Sequence, residues 1–146
     1  MQVDFYHLTT APLERALPRI AEKVLADGER LLIVADEERR RDALDRLLWE
    51  YARDSFLPHA QAGVGDDAAQ PVLIAPDLQA GNGARHVLLA DGRWRDEALA
   101  FERAFLFFND ERLADARAAW KGLADREGVE RRYWRQKPGG GWEKAA

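Results

Sequence analysis

The side chains that carry nucleophilic or acid–base chemistry are scarce in this chain. There is no Cys among its 146 residues, which excludes disulfides, thiolate zinc sites, iron–sulfur clusters and Cys nucleophiles. The only serine is Ser55, so no Gly-x-Ser-x-Gly elbow is possible. The three histidines, His7, His59 and His86, stand far apart and show no evident partner. His7 falls on an apolar strand face and His86 begins a strand, so both read as structural. His59 sits in a long loop, a commoner place for a site. It lacks the second ligand at helix spacing that a metal centre needs. The expectation is no catalytic residue, no metal and no cofactor.

Phosphate chemistry fares no better. The first strand leads into His7-Leu8-Thr9-Thr10-Ala11-Pro12, without a glycine. The second ends in Val34-Ala35-Asp36-Glu37-Glu38, where carboxylates would face a phosphate. Neither a Walker loop nor Gly-x-Gly-x-x-Gly is present. Gly81-Asn82-Gly83 is a turn signal followed by a strand. A small nucleotide-binding α/β enzyme therefore stays an alternative on fold pattern alone.

Two helical faces are more informative. The helix near residues 37–51 carries an apolar stripe of Leu44, Leu47, Leu48 and Tyr51. At 3.6 residues per turn, Trp49 points roughly 140° away from Leu44. Trp49 is either a partner anchor, since aromatic residues dominate interface hot spots, or it packs beneath the loop that carries Phe56-Leu57-Pro58. In the last helix, over residues 110–125, Leu113, Ala116, Trp120 and Leu123 form the buried stripe. Arg117 and Lys121 are neighbours on the adjoining face. Like charges at that spacing repel, and an acidic ligand would relieve them through charge-assisted hydrogen bonds. The alternative is a solvated face balanced by Asp115 and Asp125. Further basic residues follow at Arg126, Arg131, Arg132, Arg135 and Lys137.

These faces need a scaffold, and the pattern supplies one. Val3–Leu8, Arg30–Ala35, Pro71–Ala75, His86–Ala90 and Arg103–Phe108 read as strands, and Arg131–Gln136 as a short terminal one. Leu31-Leu32-Ile33-Val34 is a continuous apolar run, as in a strand buried on both faces. A helix follows Pro12 through Leu13, Leu17, Ile20, Val24 and Leu25, with Pro18 expected to kink it or delay its start and Asp27-Gly28 to stop it. Residues 53–70 read as a long loop. Strand–helix alternation is the α/β signal: a mostly parallel central sheet flanked by helices in three layers, as a single domain over residues 1–146. Apolar residues at 47% and charged residues at 33% suit one core and a charged surface. The net charge of −4 argues against bulk affinity for nucleic acid. No run approaches the roughly 18 apolar residues of a membrane span. The start Met1-Gln2-Val3-Asp4 lacks signal-peptide features, so a cytoplasmic location is expected.

A set of segments then resembles a known family. Phe5-Tyr6-His7-Leu8 opens the chain, and Leu47-Leu48-Trp49 leads into Ser55-Phe56-Leu57-Pro58-His59. Ala62-Gly63-x-Gly65 and Pro71-Val72-Leu73-Ile74 follow, and the tail holds Tyr133-Trp134-Arg135-Gln136 and Gly141-Trp142-Glu143-Lys144. In order and spacing this resembles the chi subunit of bacterial DNA polymerase III, associated with the clamp loader. The resemblance implies a Rossmann-like α/β fold without a nucleotide site. It also implies a non-catalytic adaptor in DNA replication, bridging the psi subunit to the acidic C-terminal tail of single-stranded DNA-binding protein, with no specific DNA contact. By the same resemblance, Trp49 and Phe56 match positions that contact psi, or a repair helicase competing for that surface. Arg117, Trp120 and Lys121 match the helix that receives the acidic tail. Arg117 would take a carboxylate and Lys121 add a second charge, with Trp120, Phe107 or Phe108 walling a pocket for the terminal Phe. Some relatives carry a basic residue where this chain has Leu113, and Arg131 or Arg132 would stand in for it.

Overall fold

Four apolar runs without polar alternation, in residues 31–34, 72–75, 87–90 and 104–108, demand cover on both faces. The computed structural model, which describes residues 1–9, 12–51, 57–139 and 141–146, provides it. The strands are β1 (Gln2–His7), β2 (Leu31–Val34), β3 (His59–Gln61), β4 (Val72–Ala75), β5 (His86–Leu89), β6 (Arg103–Phe108), β7 (Glu130–Gln136) and β8 (Trp142–Lys144). The helices are α1 (Leu13–Ala26), α2 (Glu38–Glu50) and α3 (Leu113–Gly122). One eight-stranded sheet runs in the order β3-β4-β2-β5-β6-β1-β7-β8. All neighbours are parallel except β7 and β8. Leu17, Ala21, Val24, Leu44 and Leu48 bury α1 and α2 against one face, with Ile33, Ile74 and Phe105. Ala116 and Leu123 bury α3 and its C-terminal turn against the other, with Phe5, Leu32, Leu89 and Leu106. These are the expected three layers.

Three local outcomes differ from the sequence reading. The loop expected over residues 53–70 contains β3, which pairs with β4. The tail folds back as β8 on β7, placing Arg135 opposite Glu143 and Gln136 opposite Trp142. Both strands are three residues long and too short to show a period, so pairing rather than pattern creates them. Pro18 does not delay the start of α1, since the helix runs from Leu13 through Ala26. Its missing N–H deprives only the Glu14 carbonyl, in an exposed first turn open to water, while the ring is buried.

The stop after α1 follows from chemistry. Gly28 has φ +78°, a conformation that L side chains resist. Its N–H donates to the Leu25 carbonyl and that of Glu29 to the Val24 carbonyl, both at 3.0 Å. This is the double bond of a Schellman cap.

One fully buried charge sits on the α1 side of the sheet. Asp4 has 0% exposure. It accepts from Arg103 Nε at 3.0 Å, Arg132 Nε at 2.9 Å, Trp134 Nε1 at 3.0 Å and Gln2 Nε2 at 2.9 Å. Burial pushes its carboxyl up. The hydrogen bonds from Gln2, Trp134 and Arg132 and the charge of Arg103 outweigh that, holding it below the usual range. The neighbouring Tyr6 hydroxyl, buried beside this carboxylate, is pushed up to about 12.

Candidate partner-binding surfaces

In doubly wound sheets ligands bind outside the C-terminal strand ends, where successive crossovers leave on opposite faces. A cleft of about 540 Å³ lies there, lined by residues after β1, β2, β5 and β6. Its polar groups include the carboxylates Glu14, Asp36, Glu37, Asp91 and Glu111. The Asp36 N–H, which a phosphate would need, donates to Asp91 Oδ2 at 3.1 Å. Asp91 is clamped by Arg95 at 2.7 and 2.9 Å. Burial raises its pKa, but the hydrogen bonds and charge of Arg95 bring it below the usual range. Gly92 is required where Arg112 crosses it, since a Cβ there would stand 2.8 Å from Arg112 Cγ. Arg40 and Arg112 also line the cleft, but the five carboxylates outnumber them, and the Asp36 backbone donor is already engaged.

The α3 side is different in character. Asn109 caps the preceding turn by accepting from the Glu111 N–H at 3.1 Å. With Ala116 and Leu123 buried, Arg117 and Lys121 stand exposed as the helical spacing predicts. Neither has an ion-pair partner among the described residues. Trp120 is half-buried, edge-on to Phe5 at 5.3 Å and to Tyr133 at 5.7 Å. The guanidinium of Arg131 covers one face of its ring at 4.0 Å and donates to the Trp120 carbonyl at 2.6 Å. This satisfies a carbonyl at the negative end of α3.

Several expectations change here. Arg132 closes on Asp4 from the opposite face of the sheet, and Arg131 is held against Trp120, so neither is free to replace a basic residue at Leu113. Phe107 lies on the α1 side, stacked on Tyr6 at 4.7 Å, and Phe108 is 2% exposed under His7. Neither can wall a pocket beside Trp120. Tyr133, which the sequence reading did not assign to this site, packs there beside Trp120. Burial holds the Tyr133 hydroxyl above its ordinary pKa, with the charges of Arg135 and Arg117 opposing and that of Asp110 adding to the rise. The same hydroxyl is 3.4 Å from His7 Nδ1, and His7 Nε2 is 2.7 Å from Asp110 Oδ1. His7 thus has the partners its sequence context did not reveal. Strand alternation was the available signal, because Arg131, Tyr133 and Arg135 share one face of β7.

On the other side of the sheet, Leu44 and Leu48 are buried beneath α2 and Trp49 is 56% exposed. The wheel-based expectation that it faces away from the core is met. Its ring centroid lies 4.7 Å from that of His59. His59 is itself buried and tied down. Its Nδ1 is 2.6 Å from the Leu57 carbonyl, and Nε2 is 3.1 Å from both the carbonyl and the carboxylate of Asp45. It fastens α2 to the segment entering β3, which makes it a structural histidine with partners. Phe56 and Ser55 lie outside the described residues.

The class defined by these features is a doubly wound α/β domain with an acidic cleft in place of a phosphate loop. It carries an exposed tryptophan on one face and, on the other, exposed cations without an ion-pair partner among the described residues. The chain belongs to a specific family of this class: the family model for "DNA polymerase III chi subunit, HolC" matches residues 1–130. It is 30% identical over 112 residues to DNA polymerase III subunit chi of Escherichia coli, covering 75% of this chain and 76% of that one. It is 32% identical over 84 residues to the protein of that name from Pseudomonas aeruginosa, covering 56% and 58%. A probable subunit chi from Rickettsia prowazekii is 29% identical over 83 residues, covering 57% of this chain and half of the relative. Among the described residues no helix is long and apolar enough to cross a membrane.

Proposed function

We propose that this chain is a non-catalytic adaptor of the DNA polymerase III holoenzyme in DNA replication, joining the psi subunit of the clamp-loader assembly to the acidic tail of single-stranded DNA-binding protein. The observation that carries this reading is the placement of two unlike surfaces on opposite faces of one sheet. Trp49, with Phe56 beyond it in sequence, offers aromatic area for burial by psi. Arg117 and Lys121, exposed and without an ion-pair partner among the described residues, offer their charge to carboxylates. A planar guanidinium such as Arg117 suits bidentate recognition of a carboxylate, and the ammonium of Lys121 adds a point charge. Half-buried Trp120, with Arg131 over its ring, leaves only part of its surface for a terminal Phe. Because the two surfaces are separate, both partners fit at once, and tethering raises the local concentration of polymerase at coated template without direct DNA contact.

The test is calorimetric titration of the full chain with a peptide of the acidic tail, beside a control peptide lacking the terminal Phe. Salt-sensitive binding to the first and none to the second is expected. Equal binding of both peptides, or no binding at low salt, overturns the tail assignment. In a parallel titration, psi should bind the peptide-saturated chain as well as the free one. Mutual exclusion of the two ligands overturns the bridge.

A further inference from the structure

Among the described residues, one buried side-chain polar atom lacks a hydrogen-bond partner: His86 Nδ1. Buried polar atoms are almost always satisfied, and an orphan points to a missing water or ion. His86 begins β5, Glu29 directly precedes Arg30 and β2, and Glu102 directly precedes β6. Because β2, β5 and β6 are neighbours in the sheet, the three side chains meet at its N-terminal edge. One ring nitrogen of His86 and one carboxylate oxygen each from Glu29 and Glu102 all lie within 4.8 Å of one another. This edge is remote from the cleft at the C-terminal strand ends and independent of the adaptor reading.

We propose that Glu29, His86 and Glu102 form a site for a divalent transition-metal ion of the zinc type, taken up in exchange for the guanidinium of Arg85. Two carboxylates this close need a cation between them, and Arg85 now supplies it. It bonds to Glu29 and, through Nη1, to Glu102 at 3.2 Å. Its side chain is 58% exposed, so it can swing into water on its flexible stem. Nitrogen and oxygen ligands lie about 2.0–2.2 Å from zinc, a distance that a modest closure of the two glutamate side chains achieves. One imidazole with two carboxylates selects zinc, cobalt or nickel over calcium and magnesium, which favour all-oxygen shells. Bound there, the ion would tie together the starts of three adjacent strands.

The test uses tag-free, chelator-stripped full-length chain titrated with Co²⁺, followed by its ligand-field absorption, then with Zn²⁺ as competitor. Saturation at one equivalent, displacement by Zn²⁺ and a raised Tm are expected. His86→Ala and Glu102→Gln should each weaken binding by about tenfold or more, while Arg85→Ala should tighten it. Glu102 is exposed, so its variant keeps the fold if His86→Ala does not. No saturable uptake by the wild-type chain overturns the proposal and leaves a water as the partner of His86. Unchanged affinity in Glu102→Gln places the ion elsewhere and overturns it equally.

Discussion

On the α1 side of β1 and β7, Arg103 and Arg132 close on a carboxylate with no solvent exposure. On the other side of the same strands, Arg117, Lys121 and Arg135 meet no carboxylate among the described residues. Both clusters draw on the same residue types, and nothing in a charge count separates them. The difference lies in what surrounds each group. Asp4 is desolvated, so its charge is tolerable only with partners, and the arginines are held in place by that requirement. The cations of α3 are exposed to solvent and have no ion-pair partner among the described residues. Arginine in the first cluster belongs to the fold, whereas in the second it stands exposed without an ion-pair partner among the described residues.

The comparison breaks most sharply at Asp4. Asp4→Ala should cost about 3 kcal/mol, lowering Tm by about 10 °C, with little effect on peptide affinity measured well below the transition. A drop of less than about 1 kcal/mol would mean that the cluster is not needed for folding. The same group sets a pH dependence. Its folded pKa is depressed, so its stabilisation is full above the unfolded carboxyl value of about 3.9 and is lost as pH falls through the lower folded value. Denaturant titrations between pH 5 and 2 should show this fall in the wild type, and a flatter profile in Asp4→Asn.

Smaller effects sharpen the contrast from the binding side. Trp49→Ala should weaken psi binding by about 2 kcal/mol, the scale of an interface hot spot. Affinity for the acidic-tail peptide should stay unchanged, as read by two separate titrations. Arg117→Ala should weaken the tail peptide by about 1.5 kcal/mol, a charge-assisted hydrogen bond, and leave Tm within about 1 °C of the wild type. Arg132→Ala should do the reverse, losing stability and keeping affinity. If both variants behaved alike in both measurements, the division between the two clusters would be wrong. Lys121→Ala should have the smallest effect, about 0.5 kcal/mol and removable by salt, as for an exposed ion pair.

Much of the scaffold was legible residue by residue. The unbroken apolar runs at Leu31, Val72 and Ala104 announced strands covered on both faces. Glycine after Asp27 announced the end of α1. The 3.6-residue period placed Trp49, Arg117 and Lys121 outside the core. β3 and β8 were not legible, because three residues carry no period and their existence depends on pairing with β4 and β7. The partners of the histidines were not legible either. His7 meets Asp110 across 103 positions of sequence, and no local spacing encodes such a meeting. The assignment of Arg131 and Arg132 as spare cations failed for the same reason: one is drawn to Trp120, the other to Asp4.

What this sequence determined by itself was therefore everything that repeats along the chain: strand and helix types, the covered face of each helix, and the family to which the motifs belong. The elements and their covered faces follow from backbone periodicity and from turn residues acting on their neighbours, and the family from the resemblance of the motifs. Only the tertiary structure decided which charges are paired within the fold and which stand exposed. Asp4 finds Arg103 and Arg132 at separations of 99 and 128 residues. A choice made across that distance belongs to strand order in the sheet, because desolvation and pairing act through space.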